Sequence, residues 1–194
     1  MRIRGRALIV SAVVGALLAT ACGPPPVAGP GRPAPGPGVF ALGDSVMLGG
    51  VDALRAAIPG IDVDAAESRQ FHEAPGILAS RLQAGTLPGT VVVHLGTNGS
   101  LRGDTCDAMV ASLGDRRVIL VNLSVPRSWE AANNDTLLQC AVRSGAAFVD
   151  WRALSAGRAD LLASDWVHLR PAGAQVYANA IAAAVTAPAP PPPA

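Results

Sequence analysis

Short hydrophobic segments recur along the middle of this chain, and longer segments with a helical pattern separate them. Four of the short segments are continuous apolar runs, as expected of strands that are covered on both faces. The segment at 61–64 instead alternates between apolar and polar residues, which is typical of a strand nearer the edge of a sheet. The continuous runs lie at 39–42, 90–95, 118–123 and 146–149.

Helical patterns fill the intervals between these predicted strands. A Gly follows four of the helical patterns, at the place where a helix usually ends in a left-handed residue; these are Gly60, Gly85, Gly114 and Gly145. Alternation of strands and helices predicts a parallel sheet with right-handed crossovers and helices on both faces. The expected fold class is therefore α/β, a three-layer α/β/α sandwich with a five-stranded parallel sheet. The predicted helices span about 47–58, 74–84, 104–113, 129–144 and 172–186.

The first 21 residues have the pattern of a secretory signal peptide. Arg2, Arg4 and Arg6 precede an uncharged run at 7–21 that ends in small residues. This pattern is typical of an export signal, and the run is shorter than the roughly 20 residues that a membrane-spanning helix needs. A buried core helix is the alternative, but the Pro/Gly-rich segment that follows would separate it from the rest of the fold.

Cys22 directly follows Leu-Ala-Thr-Ala, which resembles a bacterial lipobox. In a lipobox the Cys becomes a lipidated N-terminus, whereas simple cleavage after Ala21 would release the protein. Residues 22–38 would then be a lipidated Cys with a Pro/Gly-rich tether, 39–187 the folded domain, and 188–194 a disordered Pro-rich tail. We expect an exported protein that is anchored to the cell membrane by lipid and faces outward, or one that is secreted.

Composition excludes several functions. The chain contains 15 basic side chains, all Arg, so P-loop phosphate binding and Schiff-base catalysis, which need Lys, are excluded. Loss of the signal peptide leaves 12 basic and 14 acidic side chains, a net charge of −2. The protein then lacks the excess of positive charge that is typical of nucleic-acid-binding proteins. Three Cys and three His show no metal-ligand spacing. Neither a metal nor an organic cofactor is expected.

The cysteine count predicts one disulfide. If Cys22 carries lipid, Cys106 and Cys140 remain as an even pair in an oxidising compartment. A bond between them would close a loop of about 35 residues and stabilise the domain by roughly 3–4 kcal/mol in the chain-entropy model. Two separate buried thiols are the alternative.

Polar residues follow the predicted strands at their carboxyl ends, where ligands bind in sheets of this kind. Ser45 starts a helix, where its hydroxyl could attack a substrate and its backbone N–H could bind an oxyanion, or where it only caps the helix. Asp165 precedes His168 by three residues, a spacing that lets a carboxylate orient an imidazole for a serine. The side-chain amide of Asn98 could join the oxyanion site, or Asn98 could simply form a turn before Gly99.

The order of these residues resembles that of the SGNH hydrolases, the GDSL-type esterase superfamily. The matching blocks are Gly-Asp-Ser at 43–45, Gly-Thr-Asn at 96–98 and Asp-Trp-Val-His at 165–168. Longer strings at 41–49, 93–99 and 125–130 are similar to the extracellular domains of bacterial peptidoglycan O-acetyltransferases. The resemblance implies a flavodoxin-like sandwich, Ser45, Asp165 and His168 as catalytic residues, and Ser45 and Asn98 as oxyanion donors.

One block departs from the family pattern. The family has an oxyanion-binding Gly after the second strand, where this chain reads Glu-Ser-Arg-Gln at 67–70. We assign that place to Ser68, because its backbone N–H can still donate although its side chain would narrow the pocket. Arg127 and Trp129 follow the fourth strand and are expected to line the acyl or sugar site, or else to be a surface Arg beside a packed Trp. His94, inside an apolar strand, is expected to be a core histidine.

The resemblance implies an exported serine esterase that removes small acyl groups from cell-envelope glycans through an acyl-enzyme. One alternative is an O-acetyltransferase to a glycan hydroxyl, and another is a tethered glycan-binding module without catalysis. A third is metal-dependent hydrolysis through His94 or His72. The expected partner is an acylated glycan or small ester, with no nucleic acid, membrane contact only through the lipid, and a monomeric state.

Overall fold

The computed structural model describes residues 38–188. The predicted signal peptide, Cys22, most of the tether and most of the Pro-rich tail lie outside the described residues. Five parallel strands form one sheet in the order β2-β1-β3-β4-β5, which is the order of flavodoxin-like sheets. The strands are β1 (Val39–Gly43), β2 (Asp62–Ala65), β3 (Thr90–His94), β4 (Arg117–Val121) and β5 (Ala147–Val149).

Helices cover both faces of the sheet and confirm the predicted α/β/α sandwich. They are α1 (Ser45–Gly49), α2 (Val51–Ala57), α3 (Ala74–Gln83), α4 (Gly103–Ser112), α5 (Glu130–Ser144), α6 (Trp151–Ser155) and α7 (Pro171–Thr186), with a 3₁₀ turn at Phe71–Glu73. The first predicted helix is divided at Gly50, where a β-carbon would lie 3.2 Å from the ring of Tyr177 on α7. The short helix α6 and the 3₁₀ turn were not predicted, because a single turn shows no clear periodicity.

Alternate residues of the central strands enter two separate cores. On one face, side chains such as Phe40, Val91 and Leu120 pack with helices α3, α4 and α5. On the other face, Val92 and Ile119 pack with helices α1, α2, α6 and α7. Because successive side chains of a strand point to opposite faces, a strand between two helical layers must be apolar throughout. The continuous hydrophobic runs in the sequence have this cause.

A disulfide joins Cys106 on α4 to Cys140 on α5, as the cysteine count predicts. Both residues are fully buried in the core that α3, α4 and α5 share. The bond therefore links two neighbouring helices of one layer. Within residues 38–188, no helix has the length and hydropathy to cross a membrane.

Candidate active site

A tight turn between β1 and α1 positions Ser45. Asp44 is fully buried and caps the helix, because its Oδ1 accepts a hydrogen bond of 3.0 Å from the backbone N–H of Val46. Gly43 is required before it, since a β-carbon there would lie 2.3 Å from the β-carbon of Met47. The turn therefore fixes Ser45 at the carboxyl end of β1, beside the point where the strand order of the sheet reverses.

His168 and Asp165 approach Ser45 from a segment far along the chain, since His168 follows Ser45 by 123 positions. The Nε2 atom of His168 lies 3.1 Å from the hydroxyl oxygen of Ser45. Its Nδ1 atom lies 2.7 Å from Oδ2 of Asp165. Serine, imidazole and carboxylate thus form one hydrogen-bonded chain, the arrangement in which a base activates a nucleophile and an acid orients the base.

Asp165 is held as an anion. Its hydrogen bond with His168, followed by those from the backbone N–H groups of Val167 and His168, lowers the pKa of Asp165 to about 2, although partial burial opposes this shift. The two backbone bonds to Oδ1 measure 2.9 and 3.1 Å. The carboxylate is therefore fixed in position and charged at neutral pH, as the orienting member of such a triad needs to be.

Ser68 and Asn98 line the same cavity of about 510 Å³ as Ser45 and His168. Ser68 has a φ of 58°, in the left-handed region that favours Gly. The side-chain nitrogen of Asn98 donates to the backbone carbonyl of Arg69 at 3.2 Å. Because an amide nitrogen carries two hydrogens, the second remains available for a ligand. The predicted oxyanion residues are thus gathered around one cavity.

Arg69 is a positioning residue that its sequence context does not reveal. Its guanidinium donates to the carbonyl of Gly43 at 3.1 Å and to the carbonyl and carboxylate of Asp64, each at 2.6 Å. It therefore ties the strand end that precedes Ser45 to β2, while its own carbonyl holds Asn98. The only signal in the sequence is the position of Arg69 beside Ser68. No sequence pattern indicates that Arg69 bonds to Asp64 and Gly43, which lie five and 26 positions away.

Asn133 on α5 is a second positioning residue that was missed. Its side chain is buried, donates to the carbonyls of Gly96 and Gly99 at 3.0 and 2.8 Å, and accepts from the N–H of Leu101 at 2.8 Å. These three bonds fix the loop that carries Asn98. In the sequence, Asn133 is one polar residue inside a helical pattern, without any motif.

The predicted substrate residues Arg127 and Trp129 do not line the Ser45 cavity. The Arg127 side chain is exposed, whereas Trp129 is half-buried. Their neighbours Ser124, Val125 and Pro126 line a separate cavity of about 210 Å³ beyond the end of β4. The role of Arg127 and Trp129 in substrate binding stays a prediction.

His94 lies in the core beneath the nucleophile turn. It is fully buried, and its Nδ1 atom lies 2.7 Å from the hydroxyl of Tyr177. Burial lowers the pKa of His94, although the nearby Asp44 partly opposes this shift. In the part of the chain that the structure describes, no three His, Cys, Asp or Glu side chains are grouped as metal ligands.

Known proteins resemble this chain in sequence, although no protein-family model matches it. The chain is 34% identical over 137 residues to the peptidoglycan O-acetyltransferase OatA of Listeria monocytogenes, a match that covers 71% of this chain and 22% of that protein. It is 34% identical over 142 residues to the O-acetyltransferase OatA of Staphylococcus aureus, where the shares are 72% and 24%. The chain thus spans about a quarter or less of the length of these relatives.

A solved structure of an OatA domain has the same fold. It is the C-terminal catalytic domain of peptidoglycan O-acetyltransferase A from Streptococcus pneumoniae with a methylsulfonyl adduct, with a TM-score of 0.67 and 27% identity over 78% of this chain and 93% of that one. A protein from Slackia heliotrinireducens that is described as an SGNH hydrolase shares the fold with a TM-score of 0.61 at 20% identity, over 77% and 99% of the two chains. The chain is thus homologous to a part of the OatA O-acetyltransferases, and the solved structures that share its fold include one described as an SGNH hydrolase.

Proposed function

We propose that this protein is a serine esterase that removes small acyl groups, such as acetyl, from glycans of the cell envelope. The observation that carries the proposal is the hydrogen-bonded chain from Ser45 through His168 to Asp165, with distances of 3.1 and 2.7 Å. The glycan is inferred from the relatives that are named peptidoglycan O-acetyltransferases. An acyl-enzyme mechanism follows from the presence of a serine with its own base.

In the proposed reaction, the Ser45 oxygen forms a bond to the acyl carbon while its proton passes to Nε2 of His168. The negative charge on the carbonyl oxygen is bound by the backbone N–H groups of Ser45 and Ser68 and by the amide of Asn98. The ester C–O bond then breaks, and His168 returns the proton to the departing sugar oxygen. Asp165 stabilises the imidazolium in both steps.

Deacylation completes the cycle. His168 removes a proton from water while the water oxygen bonds to the acyl carbon. The bond from the acyl carbon to the Ser45 oxygen then breaks, and His168 returns the proton to that oxygen, which gives the free acid and the serine hydroxyl. If a glycan hydroxyl replaces water, the same steps transfer the acyl group to a sugar. An O-acetyltransferase is therefore the second candidate function, and the names of the relatives support it. The two are separated by their products, free acetate or acetylated glycan.

We further propose that the protein is exported and tethered through a lipid on Cys22. The signal-like first 21 residues, the Pro/Gly-rich spacer and a disulfide of the kind found in oxidising compartments support this location. Metabolic labelling with a fatty-acid analogue tests the anchor. A Cys22→Ala variant that retains the label, or unlabelled wild-type protein in the culture medium, would contradict it.

The main test compares turnover of a short-chain chromogenic ester by the wild type and by Ser45→Ala. We expect Ser45→Ala to lower kcat by about 10³-fold or more, because residues of a triad act as a unit. Ser80→Ala is the matched control, since the hydroxyl of Ser80 bonds only to a carbonyl within helix α3. Fluorophosphonate labelling of folded protein measures the same serine directly. Folded protein that neither forms an adduct nor turns over esters would support the binding module instead.

A further inference from the structure

Trp166 is an exposed aromatic side chain inside the proposed catalytic segment. It lies between Asp165 and His168, and 45% of its surface is exposed, whereas Trp151 is fully buried. Its φ of 61° is in the left-handed region, which among non-Gly residues 38–188 is shared only with Ser68. A bulky L-residue in this conformation is strained, and strain of this kind persists where the surroundings impose it and often marks a functional site.

The surrounding turn holds the Trp166 backbone in place. The N–H of Trp166 donates to the carbonyl of Ala163 at 3.0 Å, and the N–H of Ala163 donates to the carbonyl of His168 at 2.8 Å. A β-bridge between Leu162 and Leu169 closes the base of the segment. The indole is thus carried on a fixed turn, and its exposure does not come from a loose loop.

Trp166 lines the cavity of about 210 Å³ beyond the end of β4. The Ser45 cavity, which His168 lines, shares no lining residue with it. Trp166 and His168 are two residues apart on one fixed turn, so the same segment contributes one lining residue to each cavity. At the 210 Å³ cavity, Glu130 pairs with Nε of Arg152 at 3.0 Å, which provides charged groups beside the apolar indole.

We propose that Trp166 and this 210 Å³ cavity form a saccharide subsite, which binds a sugar ring next to the one that carries the ester. The inference deepens the proposed function and depends on it for the class of substrate. A pyranose ring presents C–H groups on its face and hydroxyl groups at its edge. The face packs on an aromatic ring, and the hydroxyls bond to placed polar groups such as Glu130 and Arg152.

The kinetic test compares two substrates, a small chromogenic acetyl ester and an O-acetylated β-1,4-linked N-acetylglucosamine oligomer. Trp166→Asn removes the ring but keeps a residue that tolerates the left-handed conformation, and Trp166→Tyr keeps an aromatic face. We expect Trp166→Asn to raise KM for the oligomer about tenfold, with the constants for the small ester unchanged and with Trp166→Tyr close to wild type. Leu138→Asn on α5, with 41% of Leu138 exposed, is the matched control.

A binding test does not require catalysis. The Ser45→Ala variant is titrated with unmodified N-acetylglucosamine tetramer while tryptophan fluorescence and its quenching by acrylamide are followed. We expect a blue shift and protection from acrylamide, both lost in the Ser45→Ala/Trp166→Tyr double variant because Trp166 is the exposed indole.

The two tests separate the failure of the subsite from the failure of the proposed function. An active esterase whose Trp166→Asn variant keeps the wild-type KM for the oligomer overturns the subsite and leaves the function standing. Equal losses for both substrates also overturn it, because Trp166 would then act by positioning the catalytic turn. Tetramer binding through Trp166 in a wild type without ester turnover supports the subsite and contradicts the esterase.

Discussion

Ser68 is predicted to replace an oxyanion-binding Gly through its backbone alone. Its φ of 58° supports this prediction, because the left-handed conformation is natural to Gly. An oxyanion donor needs only the main-chain N–H, so the side chain is not excluded by the chemistry. The side chain of Ser68 instead strains the backbone, by about 1–2 kcal/mol for an L-residue in this region.

We therefore predict that Ser68→Ala and Ser68→Gly both keep the kcat of the wild type for a small ester. Ser68→Gly relieves the strain, so we expect it to be the more stable of the two by roughly 1 kcal/mol in chemical denaturation. Ser68→Ala isolates the hydroxyl, because it retains the β-carbon and the strain. A loss of kcat of about tenfold or more in Ser68→Ala would show that the hydroxyl takes part in catalysis, against the main-chain assignment.

Residues differ in how far the sequence reveals them. Ser45, Asp165 and His168 could be selected because each stands in a short block and the blocks have a characteristic order. Arg69 and Asn133 could not, since they act mainly through bonds to backbone carbonyls, among them those of Gly43 and Gly96, which lie far from them in the chain. A carbonyl is common to all residues and leaves no pattern in the sequence.

At the scale of elements, the junction of α7 with the segment that carries Asp165 and His168 determines the site. A β-carbon on Gly173, in the first turn of α7, would lie 1.9 Å from the carbonyl oxygen of Leu161. Arg170 strengthens the junction, because its N–H bonds to the Leu161 carbonyl at 2.8 Å and its Nε to that of Leu162 at 2.7 Å. The helix thus approaches this backbone closely only because Gly173 has no side chain.

Gly173→Ala is predicted to force α7 and the 161–170 segment apart. We expect a loss of about 1–3 kcal/mol in the free energy of unfolding, as for overpacking elsewhere, and a lower kcat because His168 shifts relative to Ser45. Gly76→Ala in α3 is the matched control, since a β-carbon on Gly76 would have no neighbouring atom within 4 Å and Ala is the better helix former. Thermal unfolding and ester turnover measure both effects, and similar behaviour of the two variants would contradict the prediction.

At the scale of the whole molecule, a buried polar side chain, that of His94, lies between the nucleophile turn and helix α7. His94 connects the two, because its backbone carbonyl accepts from the N–H of Asp44 at 3.3 Å and its ring lies 2.7 Å from the Tyr177 hydroxyl. Burial lowers the pKa of His94 and raises the pKa of Tyr177 well above its ordinary value. Both groups are therefore neutral in the folded protein at neutral pH.

This arrangement predicts a loss of stability on mild acidification. Below about pH 6.5 the unfolded chain protonates His94, whereas the folded protein binds this proton only at lower pH, so the free energy of unfolding falls as pH decreases. We expect the fall to be smaller in His94→Asn by up to about 1.4 kcal/mol per pH unit. Asp165 does not affect this comparison. Because its pKa in the folded protein is about 2, the stability that it contributes is lost only as pH falls below about 4. Denaturation between about pH 8 and pH 5 measures this difference, and parallel curves would contradict it.

The amino-acid sequence by itself determined the order of elements, the parallel sheet and the three blocks of the site. These are local properties, since hydrophobic period, helix-ending Gly and short motifs are each contained within a few neighbouring residues. Tertiary structure decided which distant groups lie together. It set the distance from His168 to Ser45, the hydrogen bonds by which Arg69 and Asn133 fix two loops, and the exposure of Trp166. Those depend on packing between segments far apart in the chain, and the free energy of such contacts is not encoded in any one stretch of sequence.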